Sequence, residues 1–267
     1  MKKILTTLVG GAILASTLSA DFARIEAGAG SWVQTPSGDI TTTATSDFLN
    51  LDGIYRTSED ESAEMYAWVL IKHPIPFVPN LRLEYVSLTD SGNFDRYVEG
   101  QYAGKSPTTI DMKQFDIIPY YNLIDNTFWI TVDVGLDIKV IQSDVKVEAL
   151  GNETGSSLFD GVVNSINSFL PAYETTDTTP IPLLYLRGRV EIPTTNIGVE
   201  SDIKFITDGD NTVYDIRAKV DYTFDISPVI QPAVEVGYRT QKFEVDTDDT
   251  YGTLEYSGMY AGVMLRF

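Results

Sequence analysis

A strictly alternating run at residues 128–140 constrains the fold more than any other feature of this 267-residue sequence. Every second residue is apolar, which is the pattern of a strand whose two faces meet different surroundings. The apolar face consists of Phe128, Ile130, Val132, Val134, Leu136, Ile138 and Val140. The other face carries Trp129, Thr131, Asp133, Gly135, Asp137 and Lys139. A soluble sandwich seldom has so long a strand of this kind, so the run favours the wall of a barrel.

Nine further segments show the same alternation, at residues 22–33, 62–73, 81–88, 113–123, 182–192, 197–206, 213–224, 230–243 and 251–267. Ten strands predict an all-β fold, a closed antiparallel transmembrane β-barrel. The prediction includes one amphipathic helix in a long loop, at residues 156–170, because apolar residues there recur at spacings of three and four. They are Leu158, Phe159, Val162, Val163, Ile166, Phe169 and Leu170.

The connections between these strands alternate in predicted length. The odd ones include long polar loops at residues 34–61, 89–111 and 143–179 and shorter ones at 208–211 and 246–250, whereas the even ones are all tight turns. Long external loops and short periplasmic turns are typical of outer-membrane barrels, whose termini both face the periplasm.

The amino terminus predicts export. Two lysines precede an apolar run at residues 4–14 and small residues up to Ala20, which is the pattern of a cleaved secretory signal peptide at residues 1–20. A single barrel domain then occupies residues 21–267. The sequence has no cysteine, which excludes a disulfide framework and a lipid anchor on cysteine. The net charge of −19 argues against a nucleic-acid partner, because phosphate binding needs a basic patch.

The predicted inward faces carry charges of both signs in nearly equal number. Such charges in a narrow tube must pair, because an unpaired buried ion costs several kcal/mol. We therefore predict a lumenal charge network that leaves the lumen plugged or very narrow. Its members are Asp133, Asp137, Lys139, Arg187, Arg189, Glu191, Glu200, Asp202, Asp215, Arg217, Lys219, Asp221, Glu235 and Arg239.

The carboxyl terminus resembles the β-signal of Gram-negative outer-membrane proteins, with Tyr260, Gly262, Leu265 and Phe267 at the signal positions. An ordinary terminal strand of a soluble β-protein is the alternative. The turn His73-Pro74-Ile75-Pro76 through Pro79-Asn80, the strand at 182–185 and the strand at 237–239 resemble an uncharacterised family of small Gram-negative outer-membrane barrels. The resemblance implies an outer-membrane location, with the membrane lipid, lipopolysaccharide and the barrel-assembly machinery as partners. It implies no agreed activity, and the ligand of the loops stays unknown.

An enzyme is one alternative, because ten-stranded omptin proteases and outer-membrane phospholipases share this architecture. Both need an active-site histidine, and the single histidine here, His73, is predicted on a periplasmic turn. Asp133 and Asp137 could act as acid and base, but paired lumenal charges explain them more simply. The sequence therefore predicts no catalytic residue and no cofactor.

Calcium binding is another alternative, at the oxygen-rich stretches 208–211 and 246–249. Tight hairpins use the same residue types, so no metal site is predicted, although divalent ions bridging acidic loops to lipopolysaccharide stay open. About eight strands enclose a side-chain-filled lumen, whereas porins use 16 to 18. The sequence favours a non-enzymatic integral outer-membrane barrel that serves envelope structure or loop-mediated binding. A small-solute channel or porin is the alternative.

Overall fold

The structure is a computed structural model that describes residues 23–43, 52–75, 77–98, 100–149, 172–227 and 229–267. The described residues form eleven strands. They are β1 (Arg24–Thr42), β2 (Gly53–Arg56), β3 (Ser62–Lys72), β4 (Asn80–Val98), β5 (Gln101–Thr127), β6 (Ile130–Val147), β7 (Tyr173–Glu191), β8 (Ile197–Thr207), β9 (Thr212–Thr223), β10 (Gln231–Asp246) and β11 (Thr250–Arg266).

The strands close into an antiparallel ring of ten positions. From β4 to β11 each strand pairs with the next one along the chain, and β11 pairs with β1 to complete the ring. The short β2 and the longer β3 share one position, because both pair with β1 on one side and with β4 on the other. The predicted closed antiparallel arrangement of ten strands is confirmed.

The stagger of the ring can be followed along paired residues. Arg24 pairs with Lys72, which lies opposite Asn80 one residue beyond the last β3–β4 pair, and Asn80 pairs with Tyr120. The ladder then runs through the remaining strands and returns to β1 at Pro36, twelve positions past its starting residue 24. A stagger of this size accompanies strands tilted by about 40° to the barrel axis.

Where the structure describes the long loops predicted on one side, most of their residues form strands instead. Residues 34–42 continue β1, residues 89–98 continue β4, and residues 101–111 begin β5, so only residues 99 and 100 connect β4 to β5. Residues 143–147 and 173–179 likewise extend β6 and β7. Threonine, serine and aspartate crowd the outward face of these extensions, and that composition resembles a loop.

Two predicted segments lie outside the described residues, namely the signal peptide at 1–20 and the amphipathic helix at 156–170. In the part of the chain that the structure describes, no helix is long and apolar enough to cross a membrane.

The two ends of the ring differ. We call the end that holds Arg24, Arg266 and the turns at 73–79, 128–129, 192–196 and 224–230 the near rim. The opposite end, where β1 ends at Thr42 and β4 at Val98 and where the turns at 208–211 and 247–249 lie, is the far rim.

The wall reverses its polarity at about half its height. In the half next to the near rim the outward side chains are apolar and exposed, as at Leu136 (57%) and Val263 (65%), while charged side chains point inward. In the far half most inward side chains are apolar and buried, although Gln34, Asp90 and Arg96 are also buried there. The apolar ones include Trp32, Tyr55, Leu88, Phe94, Ile110, Met112, Ile141, Val145, Val147, Leu254 and Tyr256. The outward ones are polar and include Ser37, Asp39, Ser91, Asp111, Lys113, Asp144, Lys146 and Glu174. The near half is therefore inside out relative to a soluble barrel, and the far half is not.

Candidate functional site

The charged near half of the lumen is the candidate site. Strand alternation brings inward the residues predicted for the lumenal charge network, and thirteen of the fourteen are buried. The exception is Glu191, which lies at the near rim with 36% of its side chain exposed.

The layer closest to the near rim is a chain of ion pairs centred on two arginines of β7. Arg187 donates to Asp133 and to Glu200, both at 2.6 Å. Arg189 donates two hydrogen bonds to Asp221, of 2.6 and 3.0 Å, and its Nε donates to Glu191 at 2.7 Å. These charge-assisted and partly bidentate contacts link the neighbouring strands β6, β7, β8 and β9 on the lumenal side of the wall.

A second layer lies deeper and joins two lysines and two arginines to four carboxylates. Lys139 donates to Asp116 at 2.8 Å and to Asp215 at 3.3 Å. Lys204 contacts Asp116 as well, and reaches Glu84 at 2.5 Å. The fourth carboxylate, Asp202, pairs with Arg217 at 2.7 Å, and Arg217 also reaches Glu84. Arg239 holds Asp215 through two hydrogen bonds of 2.7 and 2.9 Å. Opposite walls of the lumen are thereby linked directly.

Aromatic side chains complete the network, and the predicted network did not include them. Glu235 accepts hydrogen bonds from Tyr66 at 2.8 Å, Trp68 at 3.1 Å and Lys219 at 2.8 Å. The Lys219 ammonium also lies 4.6 Å from the centroid of the Trp68 ring, a cation–π distance. The sequence signal for them was the presence of tryptophan and tyrosine on the polar side of the alternation, where a polar tip can reach a partner.

Asp137 is brought to the lumen but not into the network. Its side chain is fully buried, and neither carboxylate oxygen has a hydrogen-bond partner among the described residues. A buried polar group without a partner loses its hydration and gains nothing in return. We therefore expect the Asp137 side chain to destabilise the folded protein.

Two substitutions on β6 test this difference. Asp133→Asn removes a carboxylate that Arg187 contacts, so we expect the free energy of unfolding to fall by about 3–5 kcal/mol. Asp137→Asn replaces a buried carboxyl group that has no hydrogen-bond partner among the described residues, and we expect stability to stay level or rise by about 1–3 kcal/mol. Urea titration of both variants in lipid vesicles measures the two effects. Equal losses in the two variants would show that Asp137 has a stabilising partner.

A small pocket opens at the near rim and ends against this network. It has a volume of about 30 Å³, enough for about two water molecules. Arg24, Glu26, Lys72, Arg187 and Arg189 are among its lining residues. Water can therefore enter the lumen from the near rim as far as the β7 arginines.

The described part of the lumen is filled beyond that pocket. A water-filled channel would leave inward side chains exposed, yet Arg82, Asp133 and Lys139 in the charged half are 0% exposed. In the apolar half Trp32 and Tyr256 are also 0% exposed. The two halves thus block the lumen by different means, mainly ion pairing in the near half and mainly apolar packing, with a few buried polar groups such as Asp90, in the far half.

The four residues that resemble an assembly signal lie on the strand that closes the ring. Tyr260 is buried in the lumen and packs edge-on against Tyr66, with 5.3 Å between ring centroids. A Cβ atom at Gly262 would lie 2.3 Å from the Tyr66 hydroxyl, so this close approach requires glycine. Leu265 faces outward, and the Phe267 backbone pairs with Ile25 of β1.

The residues weighed for catalysis serve the turns of the near rim or the network. The His73 ring donates from Nε2 to the Pro79 carbonyl at 3.0 Å and accepts at Nδ1 from the Ile75 amide at 3.1 Å. Both ring nitrogens therefore hold the proline-rich turn together. Among the described residues, the Asp133 carboxylate contacts the guanidinium of Arg187 and the side-chain amide of Asn122, and neither of these groups is a base.

The residues weighed for calcium behave as turn residues. The carboxylate of Asp208 accepts hydrogen bonds from the backbone amides of Asn211 at 2.7 Å and Asp210 at 3.2 Å. These hydrogen bonds lower the pKa of Asp208 below its ordinary value, and the bond from the Asn211 amide contributes most. Among the described residues no group of three or more His, Asp or Glu side chains is arranged to hold a metal ion.

Comparison with known proteins adds information on the fold alone. No protein-family model and no curated protein sequence matches this chain. Among solved structures, the outer membrane protease OmpT from Escherichia coli is similar over 91% of this chain and 97% of its own, with a TM-score of 0.55 and 9% identity. The Pseudomonas putida toluene transporter TodX covers 94% and 92% at a TM-score of 0.30 and 11% identity, and Neisserial surface protein A covers 92% and 97% at 0.28 and 10%.

Of these three scores, the first is high enough to indicate a shared fold. The chain therefore has the ten-stranded fold of an outer-membrane β-barrel protein. An identity of 9% transfers no residue role from OmpT to this chain.

Proposed function

We propose that this protein is a non-enzymatic integral outer-membrane β-barrel with a sealed lumen. In this proposal a signal peptide at residues 1–20 is cleaved on export, and residues 21–267 form one barrel domain in the outer membrane of a Gram-negative bacterium. The near half spans the membrane and the far half stands outside it. The barrel then serves envelope structure or presents its far half for binding.

The reversal of polarity at half height carries the proposal. A continuous outward apolar band is unfavourable in water, and soluble monomers rarely expose one. Hydrocarbon removes this cost over a band about 25 Å tall. The polar outer surface and apolar interior of the far half are, in contrast, the pattern of a β-protein in water. Lipid around the near half suits its apolar outer surface, and water around the far half suits its polar outer surface.

The partners of the proposal follow from these surfaces. Outer-membrane lipid contacts the apolar band, and lipopolysaccharide lies where the band meets the polar far half. Tyr260, Gly262, Leu265 and Phe267 act as the signal for the barrel-assembly machinery, on the strand whose pairing with β1 closes the ring. The finer resemblance, to a small barrel family with the proline-rich turn after His73, belongs to the same proposal.

A proteolytic role like that of OmpT is less well supported. The single histidine has both ring nitrogens engaged within a near-rim turn. In the near half of the described lumen, carboxylates such as Asp133 and Asp221 are ion-paired with arginines, which explains their presence without catalysis.

A channel for small solutes is the second candidate, because the near-rim pocket admits water as far as Arg187 and Arg189. Conduction would require the ion pairs and the apolar far half to part together. We therefore expect the purified, refolded protein to show no stable conductance in planar bilayers, in contrast to a general porin recorded in the same bilayers. Heat-modifiable mobility confirms that the recorded protein is folded. Large and stable conductance steps would put the channel first and reject the sealed lumen.

A further inference from the structure

Three aromatic side chains project from neighbouring turns at the near rim. They are Phe77, which is 96% exposed, Phe128 at 81% and Trp129 at 54%. We call them the near-rim aromatic cluster. Aromatic rings of this size are costly to leave in water, so their exposure needs a surrounding that the described chain does not supply.

The backbone holds all three residues in an uncommon conformation. Their φ angles are +67° at Phe77, +52° at Phe128 and +64° at Trp129. Thr127 pairs with Ile130, so Phe128 and Trp129 are the two central residues of a tight hairpin. Such hairpins strongly prefer Asn-Gly or Asp-Gly, because positive φ disfavours bulky side chains. The needs of the turn therefore do not explain two aromatic residues there.

The position of the cluster is also unusual. The last pair between β4 and β5 joins Asn80 to Tyr120, and β4 begins at Asn80. Residues 121–127 thus extend the β5–β6 hairpin beyond the end of β4. The turn at 73–79 packs beside this overhang, where the Tyr121 hydroxyl donates to the Phe77 carbonyl at 3.0 Å.

The cluster is continuous with the apolar band of the near half. Tyr121, Leu123 and Ile130 are exposed on the overhanging hairpin and connect Phe128 and Trp129 to the outward side chains of β5 and β6. Because the cluster extends the lipid-facing band toward the near rim, it would contact the layer of the membrane that lies next to the hydrocarbon. That layer is the headgroup region, where the amphipathic ring of tryptophan is favoured and where aromatic side chains border the apolar band of membrane barrels.

We propose that the near-rim aromatic cluster inserts into the headgroup region of the inner leaflet and anchors the β4–β6 side of the barrel at that depth. The occupant of this surface is a phospholipid interface. The inference rests on the proposed function, since it takes the near half as the membrane-spanning one.

The chain contains three tryptophans, which makes the inference directly measurable. Trp32 and Trp68 are buried in the lumen, whereas Trp129 is exposed. In vesicles whose lipids carry bromine at defined depths, we expect Trp129 to be quenched most by bromines near the headgroups. Aqueous iodide should quench it weakly. Trp129→Phe should abolish the lipid-dependent quenching, because the two lumenal tryptophans are shielded.

A control tryptophan on the apolar band distinguishes failure of the inference from failure of the proposed function. In the Trp129→Phe background, Leu136→Trp puts a tryptophan on the apolar band, where bromines deep in the acyl chains should quench it. If Leu136→Trp is quenched by lipid while Trp129 is quenched by iodide alone, the cluster lies in water and the inference is overturned. If neither quencher reaches Trp129, the cluster is covered by protein, which also overturns it. If no brominated lipid quenches either tryptophan, the membrane-spanning proposal fails as well.

Discussion

Arg187→Ala is expected to lower the free energy of unfolding by about 3–5 kcal/mol, the cost of leaving buried carboxylates without their cation. Arg187 is 5% exposed and contacts Asp133 and Glu200 at 2.6 Å from different strands. Alanine cannot reach either carboxylate. Water can replace the guanidinium only in part, because the near-rim pocket holds about two molecules. The loss should therefore exceed that of any exposed ion pair.

Arg56→Ala is the matched control. Arg56 pairs with Asp95 at 3.3 Å, but 53% of its side chain is exposed, and exposed pairs contribute about 0–1 kcal/mol. Urea titration in lipid vesicles, followed by the loss of the heat-modifiable gel band, measures both variants under the same conditions. A cost for Arg187→Ala as small as that for Arg56→Ala would mean that water reaches well beyond the near-rim pocket and solvates Asp133 and Glu200, and would count against a sealed barrel.

Val134→Arg is expected to lower stability by about 2–4 kcal/mol, because a cation at the lipid-facing midplane must be drawn into hydrocarbon. Val134 points outward from β6 within the apolar band, 38% exposed, and its neighbours on the same face are Val132 and Leu136. The same change in water would cost little, since an exposed valine makes few contacts there. The size of the stability loss in Val134→Arg therefore indicates whether lipid or water surrounds the near half.

Gln142→Arg offers a control on the same strand and the same face. Gln142 lies eight residues further along β6, in the polar far half where Lys146 already faces outward. We expect the free energy of unfolding of Gln142→Arg to stay within about 0.5 kcal/mol of that of the native protein, as for an ordinary surface substitution. Comparable losses at both sites would mean that the far half is also in lipid. Comparable tolerance at both sites would mean that neither half is.

The faces of the near-half strands could be read from the sequence because each strand there alternates between two contrasting solvents. Asp133, Lys139 and Arg187 were assigned inward and Val134 and Leu136 outward, and the burial of these residues agrees. A two-residue period needs no knowledge of partners, since it depends only on which side of the pleat a residue occupies.

The far half could not be read in the same way. Leu88, Phe94 and Ile110 face the interior there, but serine, threonine, glycine and aspartate between them suggested loops. Their burial depends on strands that are distant in sequence, such as Tyr256 of β11, which lies in the same core as Phe94 of β4. Turn-rich composition was therefore overridden by tertiary packing.

The pairing partners within the lumen were likewise decided by the tertiary structure. The sequence indicated that charges of opposite sign share the lumen, and it did not indicate that Lys204 would reach Glu84, 120 residues away, or that Asp137 would be left without a partner. Alternation along one strand sets which residues point inward. The stagger of the closed ring sets which inward residues stand at the same height, and that stagger is a property of all ten positions together.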